Sequence, residues 1–158
     1  MSFPVVRKRR LRKNPVMRDF VAETRLAPSD LVYPLFITDR VNDRTPMTSM
    51  PGIFQLSADN ALIEIGKAME TGVRAVLLFG VPSEKDQEAT SAWFEQGVIQ
   101  QAVRKIKKHF GDDLLVITDT CLCEYMSHGH CGYLMEGRVL NDPTLAILSR
   151  VAVSQAEA

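Results

Sequence analysis

The chain has 158 residues, of which 46% are hydrophobic and 24% charged. These values are ordinary for a globular protein and exclude global disorder and collagen-like repeats. No apolar run approaches the roughly 20 residues that a membrane helix needs, and no apolar segment follows the N-terminal charges, so neither a membrane span nor a secretory signal is predicted. Three cysteines fall between residues 121 and 131. This odd number in so short a segment favours a metal or redox cluster in a reducing compartment over a disulfide framework.

The charge is unevenly distributed, although the formal net charge is zero. The first 18 residues contain no acid and seven basic residues, which are Arg7, Lys8, Arg9, Arg10, Arg12, Lys13 and Arg18. The rest of the chain has 12 basic residues against 19 acidic ones, a formal charge near −7. We interpret residues 1–28 as a basic arm that docks on an acidic surface of this subunit or a neighbour, with a freely solvated tail as the alternative. Nucleic-acid binding is not predicted, because no basic face carries interleaved aromatic residues.

Three apolar runs, at residues 31–37, 74–79 and 114–118, predict β-strands. Because the runs are nearly continuous rather than alternating, they indicate parallel strands that are buried on both faces. Their starts are spaced by 43 and 40 residues. The fold class predicted is therefore α/β, built from strand–helix units. The next strand falls due near residues 155–160, so the periodicity predicts a truncated α/β protein.

Helical patterns lie between and after these runs. Apolar residues recur at helical spacing over residues 58–71 and 98–110, and Gly72 is placed to end the first of these helices. A third helix is predicted to begin with Asp142 as its N-cap and Pro143 at its first helical position.

The segment most suggestive of chemistry is TDTCLCEYMSHGHCG, residues 118–132, which directly follows the third predicted strand. Loops at the carboxyl ends of parallel strands build the active sites of α/β proteins. Three thiolates, from Cys121, Cys123 and Cys131, suit a tetrahedral Zn²⁺ and leave its fourth position open for water or substrate. We predict a catalytic zinc site on these cysteines.

Other interpretations of the cysteines remain open at this point. Cys121 and Cys123 could form a redox pair, and His128 or His130 could supply a fourth ligand that makes the site structural. Small buried hydrophobic cysteines are the plainest alternative.

Acidic and aromatic neighbours complete the segment. Asp119 ends the strand beside the cysteines, where its carboxylate can accept a proton or bind an amine, or alternatively cap loop amides. We interpret Glu124 and Tyr125 as residues that support the loop.

The sequence DTCLCEYMSHGHCG resembles the metal-binding segment of the porphobilinogen synthase family, also called 5-aminolevulinate dehydratases. The likeness extends over nearly the whole chain: RRLRKNPVMRDFVAET resembles the family's N-terminal arm, DLVYPLFI its first strand, SMPGI a following loop and NDPTLAILSRVAVSQAEA the helix after the metal loop. The resemblance implies a (β/α)₈ barrel, of which residues 29–158 would supply the first three strand–helix units, with a metal loop at 119–132. It also implies that the arm, residues 1–28, wraps a neighbouring subunit within a homo-octamer.

The resemblance further implies an activity. Family members condense two molecules of 5-aminolevulinate to porphobilinogen with loss of two waters, a cytoplasmic step of tetrapyrrole and heme biosynthesis. The cysteines that match Cys121, Cys123 and Cys131 bind the catalytic zinc, whereas members with aspartates there use magnesium, so the zinc type is expected here. Asp119 matches an acidic residue that lines the family's active site.

One departure from the family pattern is large. The family holds its substrates as Schiff bases on two lysines in the later part of the barrel, and these lysines, the carboxylate-binding arginines and the ligands of an allosteric Mg²⁺ all match positions beyond residue 158. The chain's own lysines lie in the arm, in a loop or on solvent-facing helical positions: Lys8, Lys13, Lys67, Lys85, Lys105, Lys107 and Lys108. The isolated chain is therefore predicted to be inactive. The alternative function is a non-catalytic zinc-binding fragment that associates with intact subunits.

Overall fold

The computed structural model, which describes residues 3–5 and 8–158, is built around one five-stranded sheet. Its strands are β1 (Val32–Thr38), β2 (Arg44–Pro46), β3 (Phe54–Ser57), β4 (Ala75–Val81) and β5 (Leu115–Thr118), in the spatial order β2-β3-β1-β4-β5. Strands β3, β1, β4 and β5 run parallel to one another. Only β2 is antiparallel, and it pairs with β3. The predicted α/β class with a parallel sheet is confirmed.

In the described residues five α-helices accompany the sheet: α1 (Pro15–Phe20), α2 (Ala58–Glu70), α3 (Thr90–Trp93), α4 (Val98–Phe110) and α5 (Asn141–Ala156). Helices α2 and α4 pack on one face of the sheet, and α5 packs against α3 and α4. The side chains between these layers form the core, with Leu35, Ile37, Leu78, Ile65, Ile99 and Ile106 all buried. A short hairpin of β6 (Leu134–Met135) and β7 (Arg138–Val139) precedes α5.

The helix bounds predicted from the sequence agree closely for α2 and α4 but not for α5. Gly72 follows the C-cap of α2 with a φ of 94°, a left-handed conformation that glycine adopts readily. Helix α5 begins at Asn141 and its N-cap is Leu140, so the prediction of Asp142 as N-cap was wrong. The hairpin fixes this start, because the Leu140 N–H donates to the Tyr133 carbonyl (2.9 Å) and leaves no free residue between hairpin and helix.

The prediction of strands buried on both faces was wrong for this chain, since only the face under α2 and α4 is covered in the part that the structure describes. On the opposite face Phe36 stacks on Phe79 with ring centroids 5.4 Å apart. Val32, Leu115 and Ile117 remain 47%, 61% and 36% exposed. The free edge of β5 adjoins this uncovered apolar face, because β5 is the last strand of the sheet.

The arm carries its side chains in solvent. Asn14 caps α1 by accepting a hydrogen bond from the Met17 N–H (2.8 Å), yet no residue of α1 is buried. Val16, Phe20 and Leu26 are each more than three-quarters exposed. Arg7 of the basic cluster lies outside the described residues, and the boundary at residue 28 stays a prediction. Among the described residues no helix has both the length and the apolar character to cross a membrane.

Candidate metal centre

The three cysteines converge at the carboxyl end of the sheet. Sulfur atoms of Cys121, Cys123 and Cys131 all lie within 4.8 Å of one another, and the first two are 3.4 Å apart. Two sulfurs bound to one tetrahedral Zn²⁺ at ~2.3 Å are about 3.8 Å apart. The arrangement therefore fits a single ion bound by three thiolates. No disulfide joins these cysteines.

The loop that carries the thiols starts where β5 ends. The Asp119 N–H donates to the Leu78 carbonyl of β4 (3.1 Å), which continues the parallel pairing for one residue beyond the strand. A tight turn follows, in which the N–H groups of Tyr125 and Met126 both donate to the Leu122 carbonyl (3.0 and 2.9 Å). Leu122, Tyr125 and Met126 are buried. These buried side chains hold the turn against the core and leave Cys121 and Cys123 at its partly exposed rim.

The Tyr125 side chain packs against Gly80, where any larger residue would overlap it. A Cβ atom built on Gly80 would overlap the Tyr125 hydroxyl, would lie 2.8 Å from its Cζ and would press on Ile99 of α4 at 3.1 Å. The phenol ring therefore lies directly over the end of β4. Beside it, the Ser127 N–H donates to the Asp86 carbonyl (2.8 Å), which ties the loop to the segment after β4.

Replacing Gly80 with alanine is expected to lower the free energy of unfolding by about 1–3 kcal/mol, because the new methyl group must displace the Tyr125 ring. Gly66 is the matched control: it lies in α2 with open space around its Cβ position, so Gly66→Ala is expected to stabilise the chain by ~1 kcal/mol. Urea unfolding of both variants measures the difference. If the Gly80→Ala chain were as stable as the wild type, the packing of Tyr125 against Gly80 would be contradicted.

The thiols share one electrostatic environment. Burial, and then the hydrogen bonds and charges of Cys121 and Cys131, raise the pKa of Cys123 to about 12. Three sulfurs this close cannot all be anionic without a compensating positive charge, because each thiolate disfavours the next. A divalent cation bound here would supply that charge and displace the thiol protons.

Two carboxyl groups border the thiols. Burial, and then the negative charge of Asp119, raise the pKa of Glu124 to about 7. A carboxyl group with this pKa can give or take a proton at neutral pH. Burial and the charge of Glu124 also raise the pKa of Tyr125 well above its usual range. The sequence interpretation treated Glu124 as a loop support only, since nothing in the sequence reveals that this loop glutamate faces Asp119 and is partly buried.

The histidines do not join the sulfur group. His128 accepts a hydrogen bond at Nδ1 from the His130 N–H (3.1 Å), and the two rings lie 5.4 Å apart. Neither is among the residues whose ligand atoms cluster within 4.8 Å. The described residues thus give a three-sulfur group rather than the four-ligand site considered as an alternative.

All lysines of the described chain are exposed, as the sequence predicted. Three of them make surface ion pairs: Lys67 with Glu64 (3.7 Å), Lys105 with Asp59 (2.5 Å) and Lys107 with Asp112 (3.7 Å). No described lysine is enclosed by apolar side chains, the environment that lowers a lysine pKa enough for imine chemistry.

Comparisons with known proteins extend these observations. The family model described as delta-aminolevulinic acid dehydratase matches residues 5–158. Delta-aminolevulinic acid dehydratases of Methanothermobacter thermautotrophicus and Synechocystis are 48% and 49% identical over 160 residues, covering 100% and 99% of this chain. These matches cover 48% and 49% of the two relatives, so the chain spans about half their length.

A solved structure gives a similar result. The crystal structure of delta-aminolevulinic acid dehydratase (porphobilinogen synthase) from Toxoplasma gondii ME49, in complex with the reaction product porphobilinogen, aligns with a TM-score of 0.90 and 35% sequence identity. The alignment covers 99% of this chain and 45% of that one.

Proposed function

Because the chain belongs to the delta-aminolevulinic acid dehydratase family, we propose that it provides the metal-binding part of a porphobilinogen synthase. The complete enzyme would condense two 5-aminolevulinate molecules to porphobilinogen with loss of two waters, a lyase step of tetrapyrrole and heme biosynthesis. The observation that carries this proposal is the cluster of three sulfur atoms within 4.8 Å at the carboxyl end of a parallel sheet.

We assign zinc to the cluster, with Cys121, Cys123 and Cys131 as its ligands. Thiolates are soft donors that suit Zn²⁺ and are poor ligands for Mg²⁺. Three protein ligands leave one position open, through which a bound zinc supplies Lewis acidity toward a substrate carbonyl or amine. The family resemblance also implies an allosteric Mg²⁺, but the residues it gives as ligands of that ion have no match within 1–158.

The chain's own acidic groups suit the proton transfers of a condensation. Asp119 directly follows β5, two residues before Cys121, and burial together with the charge of Asp119 raises the pKa of Glu124 to about 7. A carboxyl group whose pKa lies near neutrality, as that of Glu124 does, can both give and take a proton during a reaction. We propose that Asp119 positions the substrate amine or accepts a proton and that Glu124 exchanges protons with it.

The uncovered apolar face supports the proposal that the sheet is part of a (β/α)₈ barrel. Side chains on the inner face of such a barrel are buried by the other strands. In this chain a groove of about 500 Å³ also runs beside the free edge of β5, between Leu115 and the end of α5. A further strand could pair with the free edge of β5, and a further helix could pack in the groove beside it.

The arm supports the proposal of a homo-oligomer. Its exposed apolar side chains, Val16, Phe20 and Leu26, accompany a cluster of basic residues. Apolar and charged groups on one extended segment suit docking on a neighbouring, acidic subunit, and the family resemblance implies an octamer. Free thiols that must stay reduced to bind metal suit the cytoplasm.

A fusion protein tests the function directly. Residues 1–158 would be joined to the part of the Methanothermobacter relative that follows its matched region, because the match covers 48% of that relative. The zinc-loaded fusion is expected to convert 5-aminolevulinate to porphobilinogen, measured by the colour that the pyrrole gives with an aromatic aldehyde. A folded, zinc-loaded fusion without turnover would contradict the proposal.

A further inference from the structure

Both ends of the loop that carries the three thiols are fastened to one helix, α5, through buried polar side chains. We infer that Gln155 and Thr144 of α5 are positioning residues that set the distances among the three sulfur atoms and so the affinity of the metal centre. The inference rests on the proposed function, because it concerns the same metal site. Neither residue bonds to a cysteine, so both act through the loop backbone.

Gln155 holds the start of the loop. Its side-chain N–H donates to the Asp119 carbonyl (3.0 Å), and its side-chain oxygen accepts from the hydroxyls of Thr118 (3.1 Å) and Thr120 (3.3 Å). One amide group thus engages three consecutive residues immediately before Cys121. Gln155 itself is only 8% exposed, and its three hydrogen bonds are partly buried at the side of the groove beside β5.

Thr144 holds the other end. Its hydroxyl accepts from the Tyr133 N–H (2.9 Å), two residues after Cys131, and donates to the Leu140 carbonyl (2.5 Å). Gly132, between Cys131 and Tyr133, lies so close to α5 that a Cβ atom there would be 2.7 Å from the Thr144 hydroxyl oxygen. Thr144 is 8% exposed. The return of the loop to α5 is therefore fixed as firmly as its departure.

The spacing of Thr144 and Gln155 along α5 fixes the separation between the two ends of the loop. Eleven residues are close to three turns of an α-helix, so Thr144 and Gln155 lie on the same side of α5, about 16 Å apart along its axis. Val151, between them on that side, is fully buried in the core. A loop whose ends are held at a fixed separation samples fewer conformations, so its three thiols need less ordering when a cation binds.

Three substitutions test the inference in the full chain. Thr144→Val and Gln155→Met remove the hydrogen bonds while keeping the side-chain size, and Thr144→Ser keeps the hydroxyl. Ser149→Ala is the control, because Ser149 is an exposed residue of α5 whose hydroxyl bonds only within the helix, to the Leu145 carbonyl (2.8 Å). For each, the dissociation constant for Zn²⁺ is measured by competition with a chromogenic chelator. The visible absorption of bound Co²⁺ reports the ligand geometry, and far-UV circular dichroism reports the helix.

We expect Thr144→Val and Gln155→Met each to raise the dissociation constant roughly tenfold and to alter the Co²⁺ spectrum, as loss of supporting contacts does in other metal sites. Thr144→Ser and Ser149→Ala should match the wild type. Wild-type affinity and spectrum in both Thr144→Val and Gln155→Met would overturn the inference. A Thr144→Ser defect as large as that of Thr144→Val would also overturn it, since packing rather than the hydroxyl would then matter. A wild-type chain that binds no metal would instead overturn the proposed function.

Discussion

Replacing Cys121, Cys123 and Cys131 together with serine is expected to reduce bound zinc from one equivalent per chain to none. Serine keeps the approximate size of each side chain but offers a hydroxyl, which stays protonated at neutral pH and is a poor zinc ligand. In the active fusion protein the same change should lower turnover by at least about 100-fold, because the Lewis acid is lost. Elemental analysis of protein prepared in reductant and dialysed against zinc measures the first effect, and porphobilinogen formation measures the second.

His130→Ala is the matched control for the triple variant. His130 is exposed and lies one residue from Cys131, yet it is outside the sulfur cluster. The His130→Ala chain should keep its full equivalent of zinc. Equal loss of zinc in this control would favour the four-ligand, structural alternative. Full zinc in the triple serine variant would remove the basis of the proposed function.

The 158-residue chain by itself is expected to form no porphobilinogen and no imine with 5-aminolevulinate. Every lysine of the described chain is exposed to solvent. Imine formation needs a lysine in a desolvated, apolar environment, and no described lysine has such an environment. Borohydride treatment in the presence of 5-aminolevulinate reduces any imine to a stable adduct, so mass spectrometry after this treatment tests the prediction at each lysine.

The active fusion protein provides the positive control, since it should gain the mass of a reduced adduct on lysines of the added part. Lys85 is the position of this chain to inspect first, because its charge acts on Glu124 beside the thiols. An adduct there, or turnover by pure 1–158, would show that this part carries imine chemistry of its own. Without turnover, co-purification of 1–158 with an intact family member would favour the alternative of a non-catalytic subunit.

The features that the sequence predicted best are those with a strong periodic signal. The apolar runs became β1, β4 and β5, and the amphipathic pattern at 98–110 became α4 with the same bounds. The cysteines were predicted to meet because they share one loop after a strand, and that short separation allows few other arrangements. The expected reaction came from the family resemblance alone, because no periodic pattern reveals a reaction. The family itself is confirmed by the family model and the curated relatives.

The features that the sequence did not predict depend on contacts between distant residues. Strands β2 (RTP) and β3 (FQLS) contain no continuous apolar run, and β3 pairs with β1, where Leu56 lies opposite Ile37. The seat of Tyr125 over Gly80 joins residues 45 positions apart. The raised pKa of Glu124 likewise depends on its burial and on the charge of Asp119, and the sequence alone indicates neither the burial nor the proximity.

The bare side of the sheet changes how tolerance to substitution should be judged. Leu115 and Ile117 look like surface positions when this chain is taken alone, and surface positions usually accept polar residues at little cost. If these side chains point into the interior of a closed barrel, aspartate at either site would be as harmful as in any hydrophobic interior. Such a variant would then change the stability of residues 1–158 little and yet prevent a closed barrel from folding.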